Sequence, residues 1–116
     1  MKNHLKIQLL SILLAAIGFA PLCASAQTGV GPVAITGLGT GWGEDAFGIS
    51  TAEPIANPAG CATVSSYRAI STSSGYKTFL ATALTAVSSG QKVTVIIHNT
   101  QCAEGWPMII GININP

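Results

Sequence analysis

Two spacings of apolar side chains divide this chain. Between Tyr76 and Ser89 they fall at Tyr76, Phe79, Leu80, Ala83, Leu84 and Val87, three and four apart, which sets them along one stripe of a helix. Ser73 or Ser74 can cap its start, and Gly90 can take the left-handed position after its end. Thr78, Thr82, Thr85 and Ser88 fill the opposite side, polar but nearly uncharged. Beyond the helix the period drops to two. Val93, Val95 and Ile97 alternate with Thr94, Ile96 and His98, and Met108, Ile110, Ile112 and Ile114 alternate with Ile109, Gly111 and Asn113, so both stretches are expected as strands.

Before the helix the same period is present but more broken. Val33 to Thr40 reads as a first strand, loosened by Gly37, Gly39 and Gly41. Ala46 to Ala52 is its expected hairpin partner across Gly41-Trp42-Gly43-Glu44-Asp45, with Phe47 and Ile49 on one face. After the breaks at Pro54, Asn57-Pro58 and Gly60, Cys61 to Ile70 reads as a third strand with room for a bulge. The expected order is three strands, a helix, two strands (βββαββ): a mainly β member of the α+β class, with the helix covering one face or plugging one end of a curled antiparallel sheet. A small five-stranded barrel with its helix between strands three and four has the oligonucleotide/oligosaccharide-binding (OB) architecture.

The chain opens on a different pattern. Lys2 and Lys6 precede an almost unbroken apolar run from Ile7 to Ala20, and Ala24-Ser25-Ala26 offers small residues where a signal peptidase reads. Residues 1–26 are therefore expected to be a cleaved secretory signal, and 27–116 a single domain, secreted or periplasmic. Cys23 would leave with the signal, and Pro21-Leu22 before it makes a poor lipidation site. The longest late apolar run, Pro107 to Ile112, is too short to span a bilayer, so no membrane insertion is expected after cleavage.

Export changes the meaning of the two remaining cysteines. In an oxidising compartment Cys61 and Cys102 are expected to form a disulfide, because no Cys-x-x-Cys pair or histidine cluster accompanies them as a metal site would require. A domain this small has a marginal core, and a loop closed over 41 positions implies about 4 kcal/mol in the chain-entropy model.

Charge excludes one class of partner. From Gln27 onward Arg68, Lys77 and Lys92 stand against Glu44, Asp45, Glu53 and Glu104, a net charge of −1, whereas phosphate backbones call for several basic groups. The surface must be built largely from Ser, Thr, Asn, Gln and Gly, which suits neutral hydrogen-bonding partners or another subunit and leaves little charge to oppose self-association.

Enzyme chemistry finds little footing. His98 is the one histidine after residue 26 and lies on the outward phase of a strand, a surface or interface position, and no nucleophile elbow accompanies it. Glu44 and Asp45 are adjacent in a turn, where neighbours diverge into solvent. Gly37-Leu-Gly39-Thr-Gly41 lacks the lysine and following helix of a phosphate loop. No catalytic residue, metal or cofactor is expected. The candidate binding residues are Trp42, between Gly41 and Gly43, and Trp106, between Gly105 and Pro107. Both sit in loops, where an indole face can meet a sugar ring or a partner side chain, or can fold back to cap the end of a small barrel.

Three segments carry a resemblance: Gly31-Pro-Val-Ala-Ile-Thr, Asn57-Pro-Ala-Gly-Cys61, and Phe79-Leu-Ala-Thr-Ala-Leu-Thr-Ala-Val-Ser-Ser-Gly-Gln-Lys-Val-Thr-Val95. Together they resemble the B subunits of the subtilase-cytotoxin and pertussis-like AB5 toxins, and small secreted bacterial proteins of the same layout. The resemblance implies an OB-like barrel forming a homo-oligomer, with a pentamer possible, and binding glycans on cell surfaces. The chain is shorter than those subunits and has no matching sugar-contact motif. The expectation is a secreted, non-enzymatic binding or assembly module. The alternative is a periplasmic or envelope accessory protein that meets a protein partner through a sheet edge.

Overall fold

The computed structural model describes residues 26–41 and 43–116; the expected signal peptide, Cys23 and Trp42 lie outside them, apart from Ala26. In chain order the elements are β1 (Gln27–Val33), β2 (Ile35–Thr40), β3 (Ala46–Thr51), β4 (Tyr67–Ile70), α1 (Tyr76–Ser89), β5 (Lys92–Ala103) and β6 (Trp106–Asn115). The fold is mainly β with one helix, but it has six strands rather than five, in the order β1-β5-β6-β4-β3-β2, and the sheet is not closed. The observed succession is ββββαββ instead of βββαββ. The extra strand is β1, whose Gly29, Gly31 and Pro32 break any strand pattern in the sequence. It is a strand because β5 pairs with it, from Gln27 opposite His98 to Val30 opposite Val95. The ladder shifts between Val30 and Val33. There Gly31, at φ 148°, presses so close to β5 that a Cβ would stand 2.5 Å from the Val93 carbonyl oxygen.

Only Ala34 separates β1 from β2, yet these are the two outermost strands. One stretch of backbone therefore serves both edges, and the sheet must curl until they meet near Ala34. The two halves join where β4 runs parallel to β6, at Arg68 opposite Met108; every other pairing is antiparallel.

The core fills the inside of this curl. Phe47 and Ile49 of β3, Tyr67 and Ala69 of β4, and Val93, Val95 and Ile97 of β5 are fully buried. The helix contributes Tyr76, Ala83 and Ala86, with Phe79 and Leu80 packed at the margin. Its buried stripe is thus rotated from the expected one: Leu84 and Val87 remain 47% exposed, and the small Ala86 faces the sheet. The start of the helix also differs, since the cap residue is Gly75 and no side chain caps it. The Phe79 ring lies back over Gly75 and occupies the space a Cβ would need. At the other end Gly90 takes the left-handed conformation, φ 68°, as expected.

Two strands depart from their sequence pattern for identifiable reasons. On β6, Ile109 and Ile112 are buried although they differ in alternation phase. Gly111 pairs with Ile96 and Ile109 with Ile97, so Ile110 is an inserted residue and the faces exchange there. The expected third strand shortens to Tyr67–Ile70, because Cys61 to Ser66 is held outside the ladder. The Asn57 amide pins that segment by accepting from the Cys61 N–H at 2.7 Å and donating to its carbonyl at 2.8 Å. Cys61 and Cys102 are disulfide-bonded as expected, with Cα atoms 5.8 Å apart, tying this loop to the far end of β5.

Candidate functional site

Arg68 is the sole arginine of the chain and sits within a strand between buried Tyr67 and Ala69. A guanidinium in that position has to find counter-charges, and it finds two. One terminal nitrogen lies 2.9 Å from Glu44 Oε1 and 3.0 Å from Glu104 Oε2. The guanidinium also stacks over the Trp106 ring, 4.6 Å from its centroid. Arg68 is thereby buried, with 9% of its side chain exposed, while the Glu44 and Glu104 side chains stay 45% and 40% exposed. These groups line an open cleft of about 480 Å³ together with Ser65 and Ser66. The Trp106 indole N–H points to Ser65 Oγ at 3.4 Å, a long contact.

Each wall comes from a different element. Glu44 lies in the β2–β3 connection, Ser65 and Ser66 lead into β4, and Glu104 with Gly105 forms the two-residue turn between β5 and β6. Both turn residues have positive φ, 50° for Glu104 and 95° for Gly105, the primed hairpin geometry that matches strand twist. Glu104 is the one non-glycine with positive φ among the described residues. Asn or Gly fits that position with less strain, so the turn carries a glutamate at a backbone cost.

The carboxyls of Glu44 and Glu104 also meet each other. Glu104 titrates above the ordinary glutamate range, chiefly because it hydrogen-bonds to Glu44, then through desolvation and repulsion by Glu44; Arg68 pulls the other way without prevailing.

Trp106, a sequence candidate, thus stands in the cleft, at the start of β6 and half-buried. Trp42 lies outside the described residues. Glu44, expected in a solvated turn, is held by Arg68, and its neighbour Asp45 accepts a hydrogen bond from the Tyr76 hydroxyl at 2.8 Å. Sequence reasoning missed Arg68, Glu104, Ser65 and Ser66 as site residues. The available signal was the arginine itself, isolated inside an apolar strand. His98 uses its Nδ1 to accept from the backbone N–H groups of Thr100 and Gln101, at 3.1 and 3.0 Å. That arrangement braces β5 where its ladder with β6 is irregular, between Ile97 and Cys102.

Among the described residues no three His, Cys, Asp or Glu side chains gather as metal ligands, and no helix is long and apolar enough to cross a membrane. Comparison of the chain with protein-family models, with curated proteins and with solved structures finds no match in any of the three.

Proposed function

We propose that this chain is an exported, non-enzymatic binding module that takes a saccharide in the Arg68 cleft. The observation that carries the reading is the lining itself: an indole, two carboxylates and two serine hydroxyls arranged around an open concavity by one buried arginine. Carboxylates and hydroxyls accept from and donate to sugar hydroxyls, and an indole offers a flat apolar surface beside them. A preset arginine anchor reduces the ordering that binding would otherwise require. The test is glycan-array binding by the mature chain, with loss of signal in Trp106→Ala. An intact, folded protein that binds no glycan would refute the reading.

The OB-like barrel belongs to the same proposal. Counting β1 and β2 as halves of one strand bent at Ala34 leaves five strands with the helix between the third and fourth, and the parallel β4–β6 contact joins the two sheet halves. Self-association is proposed through the outer face of α1, where Leu84 and Val87 stand 47% exposed among threonines and serines and Lys77 is the one charge. A discrete multimer in native mass measurements, five copies being one option, supports this; a monomer at high concentration refutes it. The second reading, an envelope accessory protein, draws on β1 and β2, whose outer sides bear no further strand in the sheet. Such edges can accept a partner strand.

A further inference from the structure

The charge distribution of the cleft selects among saccharides. Of its lining residues Glu44, Glu104 and Arg68 are the charged ones, two negative against one positive. The positive member is not presented to a ligand. Its contacts to both glutamates use a terminal nitrogen, its plane lies against Trp106, and its side chain is 9% exposed. What an entering molecule meets is a pair of carboxylates, 45% and 40% exposed, at the mouth of a concavity that also holds Ser65, Ser66 and an indole. A cleft lined by one sign of charge raises the local concentration of the opposite sign.

Resting on the saccharide reading above, we infer that the cleft prefers glycans bearing a free amine to their neutral counterparts, and disfavours acidic ones. An ammonium set against the exposed sides of Glu44 and Glu104 supplies the positive charge that Arg68 alone does not, while the sugar ring meets Trp106 and the serines. A carboxylated sugar brings a third negative charge against the two glutamates. The upward titration of Glu104, caused first by its hydrogen bond to Glu44, reflects the same crowding.

The experiment compares matched probes: a glucosamine tetrasaccharide, the same tetrasaccharide fully N-acetylated, and a galacturonic acid tetrasaccharide, within an array of neutral, amine-bearing and acidic glycans. The mature protein with its disulfide intact is measured by calorimetry at a fixed pH at which the probe amines are charged, in low and in high salt. The expected result is about fivefold tighter binding of amine-bearing than of N-acetylated members, the scale of one screened ion pair, narrowing in high salt. Glu104→Gln is expected to bring that ratio close to one, with folding checked by its melting curve. Glycan binding that is lost in Trp106→Ala but shows equal or stronger affinity for acidic members overturns the amine preference and leaves the saccharide reading standing. Absence of binding to every member overturns both.

Discussion

Arg68→Ala is the perturbation with the largest consequence for both fold and cleft. The substitution removes a guanidinium stacked 4.6 Å over Trp106, a contact worth about 1 kcal/mol when partly desolvated. It removes two methylenes from a side chain only 9% exposed, at about 0.8 kcal/mol each. The pair with Glu44, whose carboxylate is 45% exposed, contributes about 0.5 kcal/mol after solvent screening. The expected cost is about 3 kcal/mol, which for a domain with a urea slope near 1 kcal/mol/M lowers the unfolding midpoint by about 3 M. Arg68→Met keeps the apolar stem and loses only the charge and the stack, so it should cost about 1.5 kcal/mol and fall between wild type and alanine. Urea titration followed by tryptophan fluorescence measures all three proteins, and Trp106 emission reports the lost stack directly. An alanine variant within 0.5 kcal/mol of wild type, or methionine as damaging as alanine, would refute the role of Arg68 as a buried anchor.

Reducing the Cys61–Cys102 bond, or replacing both residues with serine, should cost about 4 kcal/mol for a loop of 41 positions; melting with and without reductant checks this. Gly31→Ala forces a Cβ to within 2.5 Å of the Val93 carbonyl at a positive φ, so about 2 to 3 kcal/mol should be lost, with amide exchange accelerating first along β1. Tyr76 and Tyr67 both titrate above the ordinary 10.0, in each case chiefly from burial, with the Asp45 hydrogen bond adding to the rise for Tyr76. Unfolded chains release those protons first, so stability should be intact below pH 10.0 and fall as pH rises past it. Tyr76→Phe should lessen that alkaline slope and cost about 1 kcal/mol at neutral pH through the bond to Asp45; pH-dependent urea curves read both. Leu84→Lys with Val87→Lys, both exposed on α1, should leave the melting point nearly unchanged while converting any multimer to monomer in native mass spectra.

Local pattern determined a good deal of this protein. The helix from Tyr76 to Ser89, its glycine stop at Gly90, the inward set Val93, Val95 and Ile97, and the pairing of the two late cysteines follow from spacing and residue type, because each depends on neighbours a few positions away or on a two-member choice. The tertiary structure alone decided the rest. A strand forms across Gly29, Gly31 and Pro32 because β5 supplies its partners, which no local propensity reveals. The inserted Ile110 reverses the faces of β6, and the helix packs with Ala86 inward in place of Leu84. The cleft shows the same division most plainly. Arg68, Glu44 and Glu104 are 24 and 36 positions apart in the chain, and only the meeting of three separate strand ends brings their charges within hydrogen-bonding distance.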